Sequence, residues 1–393
     1  MNETIYMPVG EVCSSISDTY REKKNMVTLI NTSDVLEGRV LNHERVPNSN
    51  LKGQFKKTFQ RDDILYSEIR PQNRRFAYVD FSPIDYIAST KLMVIRAKKD
   101  VVSPKYLYYF LKNSSTVAEL QLLAETRSGT FPQITFSEVA NLTIPVPPLA
   151  VQEVIVQTMQ CLEDKTICNE QINDNLEQQA QSYFQELFVD NADPEWAIGT
   201  ISDLGTIVGG STPSKAKPEY YTESGIAWIT PKDLSINKSK FVSHGENDIT
   251  ELGLKNSSAA IMPEGTVLFS SRAPIGYIAI AAGEVTTNQG FKSVVPKPEI
   301  GTPFVYFFLK NTLPVIEGMA SGSTFKEVSG STMKNVPAVI PDAETLAKFS
   351  DFCAPIFAQQ RILEEQNQSL ATLRDNLLPK LMSGEIDVSA VQL

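Results

Sequence analysis

Histidine is almost missing from this chain: His43 and His244 are the only two in 393 residues, and cysteine numbers four. Zinc sites and histidine-based triads therefore have little raw material, which argues against most hydrolytic enzymes. Cys13, Cys161, Cys168 and Cys353 form no CxxC pair, and Cys161 and Cys168 fall inside a helical pattern, so structural thiols are expected. No apolar run reaches the roughly 18 residues of a membrane span. The opening MNETIYMPVGEVC lacks the basic-then-apolar layout of a signal peptide. A cytoplasmic globular protein is expected, and its 42% hydrophobic and 21% charged content agrees with that class. No GxxxxGK followed by Ser or Thr occurs, so no ATP motor is expected.

Positive charge is also short, at a net −10, but the deficit is uneven. Residues 1–148 carry 19 Lys+Arg against 16 Asp+Glu, whereas 149–190 carry 1 against 8, 191–342 carry 12 against 15, and 343–393 carry 4 against 7. Binding to a polyanion depends on local patches, so this balance leaves the first segment available for it.

What is abundant is repetition. Phe110-Leu111-Lys112-Asn113 recurs as Phe308-Leu309-Lys310-Asn311, and Thr130-Phe131, Asn141 and Pro147 recur as Thr324-Phe325, Asn335 and Pro341. Asp63 to Ser67 matches Thr266 to Ser270, with Pro71 opposite Pro274, and Leu29 to Asp34 matches Trp228 to Asp233. The second copy has ten extra residues, which fall in the loop-like GGSTPSKAKPEYY, 209–221. A unit of about 190 residues is too long for a solenoid and predicts two similar mixed α/β domains, 1–148 and 191–342. Each contains short buried strands, a helix over 104–123 or 303–319, and a last strand ending in proline.

The segments that follow, 149–190 and 343–393, predict two long helices. Ile155, Met159, Leu162, Thr166, Asn169, Asn173, Leu176, Ala180, Tyr183 and Leu187 follow coiled-coil spacing. So do Phe349, Cys353, Ile356, Gln360, Leu363, Asn367, Leu370, Arg374, Leu377 and Leu381, each 194 residues later. Both seams are polar in the middle, and a seam Asn typically fixes register at a cost in stability. A lone forty-residue helix would span roughly 60 Å, so the two are expected to pack antiparallel as a spacer holding the domains at a fixed distance. The plainer alternative is two surface helices, each lying on its own domain.

GGSTPSKAKPEYYTESGIAWITPKDL (209–234), VLFSSRAPIGYIAI (267–280) and LLPKLMSGEIDV (377–388) closely resemble specificity subunits of type I restriction-modification enzymes, and the likeness covers nearly the whole chain. The resemblance implies two target recognition domains with pseudo-twofold repetition, each reading one half of a split asymmetric double-stranded DNA site. It implies an antiparallel helical spacer that sets the gap and docks two methyltransferase subunits, with S-adenosylmethionine bound in those partners and not here. Motor-nuclease subunits can join such complexes. The chain itself would be non-catalytic, and it carries no Asn/Asp-Pro-Pro-Tyr/Phe motif of the partner type.

Base reading needs polar side chains on loops, and phosphate contacts need cations and backbone amides. The densest basic stretch holds Lys52, Lys56, Lys57, Arg61, Arg70, Arg74 and Arg75, with Tyr66, Phe76 and Tyr78 interleaved; a solvated strand edge is the alternative. The matching turn in copy two offers Ser271 and Arg272. The loop with Arg127, Ser128, Gly129, Thr130 and Gln133, matched by residues 321–324 with Lys326, is a second candidate or an ordinary turn. Lys215, Lys217, Lys232 and Gln289 complete the second domain's candidates. The acidity of the first long helix suggests that it faces a protein partner or solvent. Two other readings stay open: a specificity subunit whose partner is a fused methyltransferase-nuclease, and a two-domain coiled-coil scaffold that binds no nucleic acid.

Overall fold

The computed structural model describes residues 4–22, 24–49, 53–126, 132–322 and 326–388. By contact the chain divides into two units, residues 1–166 with 368–393, and residues 167–367. Each unit starts with a two-stranded antiparallel ribbon: Ile5–Pro8 on Thr143–Val146 in the first, and Ala197–Thr200 on Pro337–Ile340 in the second. One helical turn follows, Val9–Val12 or Ile201–Leu204, and leads into the main sheet.

The main sheets share an order. In the first unit Leu92–Ala97 lies between Cys13–Ile16 and Ile64–Ser67, with Phe76–Tyr78 beyond. In the second, Lys292–Pro296 lies between Gly205–Gly209 and Val267–Ser271, with Ile275–Ala281 beyond. Ile64-Leu65 and Val267-Leu268-Phe269 are fully buried on both sheet faces, which is why these strands read as continuous apolar runs. A second sheet in each unit contains one parallel pair: Leu29 lies opposite Ile87, and Trp228 opposite Thr286.

The expected helix over 104–123 is two helices, Pro104–Lys112 and Ser114–Thr126. It breaks at Asn113, whose side chain accepts the Ser115 N–H at 3.0 Å and so competes with helix propagation. The repeat's Asn311 lies inside one continuous helix, Thr302–Met319.

The long helices are Leu149–Gln185, closed by a π-helical turn Glu186–Asp190, and Ala343–Ser383. Neither forms a body of its own: each contributes a stretch to both units. Within the first unit Ile155, Met159 and Leu162 pack with Leu377, Leu378 and Leu381. Within the second, the Tyr183 ring packs at a tilt against Phe352 with ring centroids 4.5 Å apart, and Asn169 Nδ2 donates to Asn367 Oδ1 at 2.8 Å, so the helices run antiparallel. Phe349 and Ile356 are buried seam residues, while Leu176, Leu187 and Leu370 are partly buried. Asn173 and Gln360 exchange side-chain-to-backbone hydrogen bonds, Gln360 Nε2 donating to Asn173 O at 3.2 Å. The Oδ1 atoms of Asn169 and Asn173 are buried and meet no donor among the described residues, a cost consistent with polar seam residues that specify register.

The acidic central helix is explained partly from within. Glu163 pairs with Lys112, and Glu177 with Lys240 and Lys310, so two of its carboxylates face lysines of the α/β domains and not solvent or a partner.

Candidate nucleic-acid interface

Loops gather where the parallel strands end, and the two units build them alike. In the first, the Asp34 carboxylate accepts the Asn31 N–H at 2.7 Å while Asn31 Oδ1 accepts from Thr32 at 2.9 Å. In the second, the Asp233 carboxylate accepts the Thr230 N–H at 2.7 Å. These reciprocal caps fix each loop without using outward side chains.

Beside the caps lies a turn, Glu68 to Pro71 or Ser271 to Pro274. The Glu68 N–H donates to Lys91 O at 3.0 Å and the Ser271 N–H to Gly290 O at 2.7 Å. Glu68 O accepts from Ile134, and Ser271 O from Val328, both at 2.9 Å. Ile69 bridges to Gln133 as Arg272 bridges to Glu327. Arg70 (φ 45°) and Ala273 (φ 51°) both occupy the left-handed region just before the proline. A non-glycine residue there costs on the order of 1–3 kcal/mol and persists only where its surroundings over-determine it, as these bonds do.

In the second unit this framework walls a cleft of about 660 Å³, lined by Thr212, Lys215, Trp228, Lys232, Glu246, Arg272, Asn288 and Gln289 among others. Four of the residues singled out from sequence, Lys215, Lys232, Arg272 and Gln289, thus come together. Lys326 lines an adjoining hollow that shares Arg272 and Ala273. Gln289 accepts a hydrogen bond from Thr212. Lys232 Nζ lies 2.6 Å from Glu246, a bond that holds its ammonium above the usual lysine range. Arg272 and Lys292 share Glu327 at 3.5 and 3.8 Å. Burial lowers the pKa of Lys292, with Glu327 opposing.

Several expectations fail on burial or prior commitment. Ser271 is fully buried, its hydroxyl donating to Gly290 O at 3.1 Å, so it reaches no ligand. Lys57 donates to Leu92 O at 2.8 Å, and burial lowers its pKa: it ties two strands together. The Arg75 guanidinium donates to Ser33 O and Val35 O at 3.0 and 3.4 Å. Arg74 spans Glu37 at 3.5 Å and Lys112 O at 3.4 Å, and Arg61 is bonded to Asp80 O. Lys56 and Arg70 are exposed. Gln133 accepts from Lys91 at 3.4 Å, and its counterpart is Glu327, not Lys326. Arg127 to Thr130, Ser323, Thr324 and Lys52 lie outside the described residues.

Sequence reasoning missed Glu246, Glu327, Asn288, Thr212 and Lys91. Only Glu327 had a legible signal: it lies 194 residues after Gln133, the shift that relates the helices.

Each of the two units thus carries an equivalent loop cluster on a duplicated α/β scaffold. Residues 6–178 and 194–373 match the model of the type I restriction modification DNA specificity domain, and the chain belongs to this family of type I restriction-modification specificity subunits. It is 29% identical to the type I restriction enzyme HindI specificity subunit of Haemophilus influenzae, across 92% of this chain and 94% of that one. The MjaIX specificity subunit of Methanocaldococcus jannaschii is 38% identical over 47% of this chain and 45% of its own length. A crystal structure of the S subunit of a type I restriction-modification system from M. genitalium shares the fold, with a TM-score of 0.54 at 17% identity over 97% of this chain and 96% of that one. Among the described residues no helix is long and apolar enough to cross a membrane.

Proposed function

We propose that this chain is the non-catalytic DNA-reading subunit of a methyltransferase complex, each loop cluster reading one half of a bipartite asymmetric site. The observation that carries the reading is the repeated turn: a left-handed residue before proline, Arg70-Pro71 and Ala273-Pro274, held by matching backbone hydrogen bonds and presented beside a different set of polar side chains in each unit. Similar frames with different side chains suit two unlike half-sites. The long helices serve as the spacer and as the seat for two methyltransferase subunits, which carry the S-adenosylmethionine; motor-nuclease subunits join the same assembly.

The test is methylation mapping in cells that express the chain with its methyltransferase, followed by duplex binding of the purified complex across a salt series. A split motif, and affinity that falls steeply with salt, are expected. Salt-independent binding, or methylation without a split motif, overturns the reading. Removing seven residues from each of 155–187 and 349–381 should shorten the preferred gap or abolish binding; an unchanged gap refutes the spacer role.

A further inference from the structure

We infer that Glu246, which lines the second cleft, and Glu327, which lines the hollow adjoining it, are specificity-determining residues: they hold Lys232 and Arg272 and penalise any duplex that offers this surface only phosphates. This deepens, and rests on, the reading of the cleft as a DNA surface.

A surface that bound DNA by phosphate neutralisation alone would present cations without counter-charges. Here Lys232 lies 2.6 Å from Glu246, and Arg272 and Lys292 lie 3.5 and 3.8 Å from Glu327. The acids are reachable from solvent, with side chains 61% and 40% exposed. Asp233, the cleft's other acid, is different: its carboxylate is consumed by Thr230 and by the Glu246 N–H at 2.9 Å. Glu246 and Glu327 therefore stay reachable to an approaching duplex, as Asp233 does not.

Glu327 is also fixed in place. Its N–H donates to Ser321 O at 2.9 Å and its carbonyl accepts from Ser321 at 3.1 Å, while its strand bridges to Arg272. The carboxylate is thus built into the frame that sets the reading turn. The first unit supplies the contrast, with neutral Gln133 at the corresponding place.

A carboxylate accepts hydrogen bonds and never donates. In the major groove it is satisfied by the amino groups of cytosine N4 or adenine N6, and a phosphate has nothing to offer it. A duplex with the right bases at this place regains what the two acids cost; a duplex with the wrong bases does not. The second domain, with 12 basic against 15 acidic residues over 191–342, would discriminate by such neutral and acidic contacts more than by attraction to the backbone.

The test uses the full chain in complex with its methyltransferase. Two duplexes are titrated over a salt series: the site found by methylation mapping, and the same duplex with its second half-site scrambled. Glu246→Gln and Glu327→Gln, which keep shape and an acceptor oxygen, are each expected to raise affinity for the scrambled duplex about 3- to 10-fold while cognate affinity holds or falls. The salt slope on the scrambled duplex should steepen by about one for each further phosphate that a released cation neutralises. An equal rise on both duplexes, or no change on either, overturns the inference. Arg272→Ala separates the two levels: if it alters neither duplex, the cleft is not a DNA surface. If it weakens the cognate duplex while the two glutamine variants leave the cognate-to-scrambled ratio untouched, only the role of the acids falls.

Discussion

In the first unit the reading turn carries its cation on the left-handed residue, Arg70; in the second the left-handed residue is Ala273, and the cation sits one place earlier, on Arg272. The two turns share their backbone hydrogen bonds, to residues 91 and 134 in the first unit and to residues 290 and 328 in the second. The charge thus sits on the left-handed residue in one turn and on the residue before it in the other. One scaffold can therefore place its cation at two different positions of the turn.

The same contrast runs deeper, to where each recognition domain is anchored on a helix. Lys112 of the first unit pairs with Glu163, which also accepts from Tyr109 at 2.8 Å. Its repeat, Lys310, lies 2.5 Å from Glu177, but that carboxylate also takes Lys240 at 2.5 Å and Tyr306 at 3.1 Å. Lys240 has no room to escape: its Nζ sits 3.8 Å from the Phe357 ring centroid and 4.6 Å from that of Tyr306. Glu177→Ala strands a buried ammonium and is expected to cost about 3–5 kcal/mol in denaturant unfolding. Glu163→Ala, which unpairs one lysine where Glu177→Ala unpairs two, is expected to cost less, about 1–3 kcal/mol. Equal losses would refute the ranking.

Acid should find the second anchor too. Burial pushes the Glu177 carboxyl up, but Lys240 and Lys310 outweigh it and hold its pKa below the ordinary 4.5. Its contribution is thus present above about pH 4.5 and is lost as pH falls through the lower folded value. Wild-type stability should fall through that window, and Glu177→Ala should fall less steeply there.

Next in size are the arginines of the turns. Arg70→Ala and Arg272→Ala are each expected to weaken binding of the complex to its site by about 1–3 kcal/mol. Each loss should vanish when only its own half-site is scrambled. Losses that follow the same half-site for both variants would break the correspondence between turn and half-site.

How much of this could be read beforehand follows from where the information lies. The duplication, the two helices and the strands 64–67 and 267–271 were legible because periodicity and apolar runs are local and were written twice. The basic stretch misled for the opposite reason. Lys57, Arg74 and Arg75 look like a DNA surface in one dimension, but the fold brings backbone carbonyls of residues 92, 112, 33 and 35 to them and uses their charge as strut. Such partners lie tens of residues away and leave no mark in the spacing. Convergence of Lys215, Lys232, Arg272 and Gln289 on one cleft depended likewise on the parallel pairing of Trp228 with Thr286.

The smallest effect expected comes from Ser271, a candidate reader that the fold buries. Ser271 corresponds to Glu68, whose N–H donates to the Lys91 carbonyl as the Ser271 N–H does to Gly290. In the first unit the side chain at this place points outward to pair with Lys91 at 3.4 Å; in the second it turns inward, its hydroxyl bonded to the same Gly290 carbonyl. Ser271→Ala removes one buried donor and keeps the backbone bond to that carbonyl, so about 1 kcal/mol of stability is expected to be lost. Binding to cognate and scrambled duplexes should be unchanged within error. A drop in cognate binding without a drop in stability would mean that the second turn opens when it meets DNA, and that its frame is less rigid than that of the first.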